Sequence, residues 1–294
     1  MKHYLQTIKG FLFIISLSVF SISISSCTNV ETDEPKTGTN ETDFQKLSME
    51  LDDYVQQFES EHPTSPQSRS FFKRLWHAIK ADVFVSCRKE LNEWQTTTGI
   101  SIGASNAVWK KYGTNDIDYS SLPPQAKAEL EVMLNNAKNN MDLSGSNIGY
   151  IHNAALLTLI TSQDGGGSTT SEIASNTVKA LSTLGIDTSK IDQALIKTEI
   201  DTFMNYIYDN DDEVLCQRFV KVYPETKNEI AIIKKYCSTA LKLQENNDIE
   251  TFTNGYCEII KKSNIDDASK ITLQRTLSVA PASTELWNKI ETIN

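Results

Sequence analysis

Alternation of apolar and polar residues at strand spacing is almost absent from this sequence, and Ile100-Ser-Ile102 is its one short hint of a strand. That scarcity excludes a sandwich or barrel. None of the five cysteines stands in a Cys-x-x-Cys pair, which removes zinc-ribbon and thioredoxin chemistry. The four histidines form no His-Glu-x-x-His motif and no pair at metal spacing, so nothing supports a zinc hydrolase. Gly-x-Ser-x-Gly is missing. Ser70-x-x-Lys73 and Ser86-x-x-Lys89 echo a penicillin-binding nucleophile, but no Ser-Asp-Asn accompanies them. No motif calls for a metal or a cofactor. Basic charge is also short: the net charge is −10, and an acidic chain is repelled by phosphate backbones, which excludes nucleic acid as a partner.

What is present begins at the N-terminus. Lys2 and Lys9 precede an apolar run from Phe11 to Ile24, followed by Ser25-Ser26-Cys27. At about 14 residues the run is too short to span a bilayer and reads as a secretory leader over residues 1–26. Ile24-Ser25-Ser26-Cys27 resembles the bacterial lipobox, with Ser26 where Gly or Ala is commoner. The resemblance implies a Cys27 that is lipidated and heads the mature chain, anchoring it to the membrane by about 0.8 kcal/mol per buried methylene. Loss of Lys2 and Lys9 with the leader would take the net charge from −10 to −12.

Residues 27–43 read as a flexible tether. They hold five carboxylates, one Pro and one Gly, with Val30 their single aliphatic residue. Such a coil reaches roughly 20–25 Å. Glu31, Asp33 and Glu34 resemble the export signal that sends lipoproteins of the Bacteroidota to the outer face of the outer membrane. The alternative is a tether facing the periplasm.

From Phe44 onward the apolar spacing is helical. Phe44, Leu47, Leu51, Val55 and Phe58 mark one helix face, and Phe71 to Trp94 a second helix. Further segments run over Ala126–Met141, Ile148–Ile160, Ile173–Leu184, Ile191–Tyr208, Val214–Tyr223, Ile230–Leu243, Ile249–Ile260, Ile271–Val279 and Leu286–Ile293. The expectation is an all-α multi-helix bundle of about ten to twelve helices behind the leader and tether. The Gly165–Gly167 break divides it into helical regions 44–163 and 168–294, which form either two domains or one.

Candidate sites are few. His152, in Gly149-Tyr-Ile-His152-Asn153, shares the Ile148, Ala155 and Leu159 face. It reads as a core histidine, or as a general base presented from a helix; His77 invites the same two readings. Cys216, Cys237 and Cys257 fall on successive helices, where a disulfide between neighbours or buried thiols would fit. Asp209-Asn-Asp211-Asp212-Glu213 begins like a calcium loop, but Val214 and Val220 stand where Gly and Glu are needed, so it reads as a turn whose acids favour the next helix. Asp164-Gly-Gly-Gly167 precedes a helix, as phosphate loops do, but lacks the Gly-Lys-Ser/Thr ending and reads as a connector. Gly99, Gly103 and Ala107 make a small-residue stripe. Polar neighbours make it a close crossing of two helices rather than a membrane insertion.

Lys80-Ala-Asp82, that stripe, and Gly149-Tyr-Ile-His152-Asn153 follow an order that resembles a group of uncharacterised Bacteroidota lipoproteins. Val83-Phe-Val-Ser-Cys87 departs from them in being bulky. The resemblance implies an envelope compartment and carries no activity. Together these readings predict a lipid-anchored envelope protein, held to the membrane through Cys27, that binds a protein or glycan partner. The alternative is an envelope enzyme with a site around His152.

Overall fold

A computed structural model describes residues 38–62, 94–112, 119–145, 147–162, 167–206, 212–240, 242–243 and 246–293. The described residues contain ten α-helices and no strand. They are α1 (Gly38–Glu61), α2 (Trp94–Tyr112), α3 (Pro124–Asn139), α4 (Gly149–Thr161), α5 (Thr170–Thr183), α6 (Gln193–Tyr206), α7 (Asp212–Val222), α8 (Lys227–Ala240), α9 (Asn246–Lys262) and α10 (Asp267–Ile293). The chain is an all-α multi-helix bundle. The expected leader, Cys27, His77, Cys87 and most of the helix expected over Phe71–Trp94 lie outside the described residues.

α1 packs with α8 and α9, although most of the chain lies between them. Its apolar stripe, Phe44, Leu47, Leu51 and Phe58, is buried at helical spacing. Lys235 of α8 pairs with Asp52 at 2.6 Å and Lys242 with Glu59 at 2.7 Å, so α1 and α8 run in the same direction. α9 runs the other way: Tyr54 stacks on Phe252 at 5.6 Å, and His62 meets Asp248 at 3.2 Å. Tyr236 and Tyr256 complete the aromatic cluster with Phe252, at ring separations of 5.4 and 5.5 Å. Such pairs add about 0.5–1.5 kcal/mol each beyond the area they bury. Their hydroxyls are satisfied, Tyr236 by the Thr253 hydroxyl at 2.6 Å and Tyr256 by the Ile232 carbonyl at 2.9 Å.

In a second group α4, α5 and α6 pack on α2, every residue of which is buried from Gln95 to Val108. Ile100-Ser-Ile102, the hint of a strand, is helical here. The small-residue stripe explains why a helix this polar can be interior. A Cβ on Gly99 would stand 2.6 Å from Ile196 Cδ1, and one on Gly103 would meet Ile200, so these α6 side chains lie directly on the bare backbone of α2. The buried hydroxyls find local partners: Thr98 donates to the Trp94 carbonyl at 2.8 Å. Thr96 bridges α2 to the α6 entry, donating to the Lys190 carbonyl at 3.2 Å and accepting from Asp192 N–H at 3.1 Å.

α10 joins the two groups, packing on α9 and on α4. With α1 on α8 and α9, and α2 on α6, the regions 44–163 and 168–294 interleave across the Gly-rich break. Residues Gly38–Asn294 form one compact unit. Two boundaries differ from expectation. α1 starts at Gly38, so residues 38–43 belong to the helix rather than the tether, with the acid Glu41 in its favourable first turn. α10 continues through Pro281 instead of breaking into two helices. Pro281 forfeits the bond its N–H would make to the Leu277 carbonyl, while α4 clasps the same turn: Gly149 admits the Ser278 carbonyl closely, and Asn153 Nδ2 donates to the Ala282 carbonyl at 2.8 Å.

Candidate functional site

His152 lies in α4 with no exposed surface. Its Nδ1 is 3.3 Å from Asn153 Oδ1, and the Asn153 amide is itself committed to α10. An imidazole enclosed in this way presents no nitrogen to a substrate. Nearly all of α4 is buried around it, because α4 is apolar on every side.

Of the two alternatives for Cys216, Cys237 and Cys257, the structure has free thiols, the first two buried and Cys257 half-buried. The α8–α9 register supplies the reason. Ile232 stands opposite Tyr256 and Tyr236 opposite Thr253, so Cys237 and Cys257 are displaced by roughly 8 Å along the helix axes, too far for a disulfide. Cys216, on α7, is buried in the hydrophobic core. Burial, with the Glu258 charge beside it, pushes the Cys257 thiol up from 9.0 to about 12, so it stays protonated.

The Gly-rich connector also resolves at its described end. Gly167 has φ +90°, and its carbonyl accepts from Lys110 Nζ. The N-terminus of α5 is already occupied by a carboxylate of its own chain. Glu172 accepts from Ser168 N–H at 2.9 Å, Ser168 Oγ at 2.8 Å and Thr169 N–H at 3.0 Å, and the Thr169 hydroxyl completes a capping box. Those donors hold the Glu172 carboxyl at about 2. A phosphate would have to displace it. Of the acidic run once compared with a calcium loop, residues 209–211 lie outside the described residues, and Asp212 opens α7. Among the described residues no cluster of metal-ligating side chains occurs, and no helix is long and apolar enough to cross a membrane.

A polar cleft of about 770 Å³ opens between α9 and α10, with the start of α4 on its rim. Its volume is that of a small-molecule or oligomer site. α9 is strongly two-faced. Ile249, Phe252, Tyr256 and Ile260 are buried, while Asn247, Glu250, Asn254, Glu258 and Lys261 recur at three- and four-residue spacing along the cleft. The opposite wall is Gln274, Ser278, Pro281 and Glu285 of α10, and Asn147 and Tyr150 flank the mouth. Lys261 lies 3.5 Å from Glu258. Gln274 Nε2 reaches the Cys257 carbonyl at 3.5 Å, and Asn147 Oδ1 accepts from Gly149 N–H at 3.1 Å. The side chains of Glu250, Asn254 and Glu285 make no hydrogen bond or ion pair among the described residues and line the cleft. Three carboxylates against one ammonium leave the cleft net negative.

The sequence reading missed these residues. Their only trace in it is the polar stripe of α9, which is also what any solvated helix face carries; the facing wall comes from α10 and α4, distant in sequence. Comparison with protein-family models, curated proteins and solved structures finds no match for this chain.

Proposed function

We propose that this chain is a lipid-anchored protein of the bacterial outer membrane, held by Cys27 and exposed at the cell surface, whose helical body binds a protein or glycan partner. The leader, the lipobox resemblance at Cys27 and the acidic stretch behind it support the anchor and the address. The observation that carries the binding role is the α9–α10 cleft, where unengaged amide and carboxylate groups line a concavity large enough for a ligand. His152 is enclosed in α4, so the cleft and not the histidine is where a partner would meet the chain.

Fractionation tests the anchor. Cys27→Ser should move the protein from the membrane fraction to the soluble one, and retention in the membrane would refute lipidation as its attachment. Proteinase treatment of intact cells tests the orientation. Loss of the chain before permeabilisation is the expected result; protection until permeabilisation would turn the body towards the periplasm.

A further inference from the structure

We infer that the α9–α10 cleft takes a neutral, hydroxyl-rich saccharide, an inference that rests on reading the chain as a binding protein. The first argument is what lines the cleft. Among the described residues no Leu, Ile, Val, Met, Phe or Trp lines its wall, and the least polar lining residues are Pro281, Ala282, Cys257 and Tyr150. A docked peptide helix or strand draws its energy from large apolar anchors seated in pockets. The described wall offers no such anchor site and favours a ligand that gains affinity from hydrogen bonds and from thin apolar faces.

A pyranose has that character, with C–H faces that lie against a tyrosine ring or a proline. Each hydroxyl both donates and accepts, matching amides that do both and carboxylates that accept. The Asn254, Glu250 and Glu285 side chains are exposed and, among the described residues, have no bond to break before meeting such a ligand. Glu250 and Asn254 are one turn apart on α9, about 5–6 Å, so both can engage one chain of sugars at once. The carboxylates decide the charge class: with Glu258 balanced by Lys261, Glu250 and Glu285 remain to repel sulfated or uronic polymers.

The test uses the detergent-solubilised full chain, titrated with neutral oligosaccharides of glucose, mannose, galactose and N-acetylglucosamine. A heparin hexasaccharide and an oligolysine peptide serve as comparisons. Saturation-transfer NMR and calorimetry should show saturable binding of at least one neutral oligosaccharide. Asn254→Ala and Glu250→Gln should each weaken it about tenfold, with unchanged circular dichroism and melting because both side chains are exposed. Absence of binding by every neutral oligosaccharide, or binding that both variants leave intact, overturns the inference. Preferential binding of oligolysine overturns the saccharide while retaining a binding cleft. Failure of the anchor would show in the Cys27→Ser fractionation and leaves this titration untouched.

Discussion

Substituting Gly149 by alanine tests how closely α4 and α10 are held together. An alanine Cβ would lie 2.5 Å from the Ser278 carbonyl oxygen and 3.0 Å from the Ala282 Cβ. The first obstacle is backbone, so it can yield only if α10 moves. Overpacking of this kind costs about 1–3 kcal/mol. The usual helical advantage of Ala over Gly, about 1 kcal/mol in a helix interior, is smaller here because Gly149 is the first residue of α4. The net expectation is a loss of about 1–2 kcal/mol, or a Tm lower by about 2–8 °C for a domain of this size. Gly99→Ala is the internal control. There the obstacle is Ile196 Cδ1 at 2.6 Å, the free end of a side chain that can rotate, and Gly99 is inside α2 where the helical advantage is full. That variant should stay within about 1 kcal/mol of the parent. Urea unfolding followed by far-UV dichroism reads both. A Gly149→Ala protein as stable as the parent, or a Gly99→Ala protein that loses more, would refute the argument that the α4–α10 approach is fixed by backbone.

Two predictions concern protonation. The Glu172 carboxyl sits at about 2 in the folded chain against an ordinary 4.5, so its capping contribution is complete above about pH 4.5 and is lost as pH falls towards 2. Amide exchange in the first turn of α5 should accelerate over that window, and Glu172→Gln should produce the faster exchange already at pH 7; unchanged exchange in the variant would refute the capping role. The Cys257 thiol, raised to about 12, adds stability that is complete below about pH 9 and fades as pH rises towards 12. Its alkylation by iodoacetamide at pH 8 should be at least about tenfold slower than in urea, measured by peptide mass spectrometry, and equal rates would refute the argument that the folded chain disfavours the thiolate.

Most helices were legible because their evidence is local. The α9 stripe of Ile249, Phe252, Tyr256 and Ile260 repeats at helical spacing, and Thr169 with Glu172 forms a cap that needs only its own turn. α2 was harder to read, since Thr96, Thr98, Ser101 and Ser105 look solvated yet are buried. Their burial depends on glycines that let α6 approach and on hydroxyls that bond to the backbone. The continuity of α10 between the Ile271–Val279 and Leu286–Ile293 segments is not legible locally, because the clasp from Gly149 and Asn153 comes from far along the chain.

The sequence by itself determined the helical class, since a repeat of three to four residues chooses the backbone conformation one segment at a time. It also carries a leader-like N-terminus and the lipobox-like Cys27, a linear pattern that needs no fold to be present. Only the tertiary structure decided that α1 closes on α8 and α9, that His152 is sealed inside α4, that the cysteines are out of register, and that a cleft opens beside α9. Each of these depends on residues brought together from distant segments, where packing and register, not local spacing, determine which side chains meet.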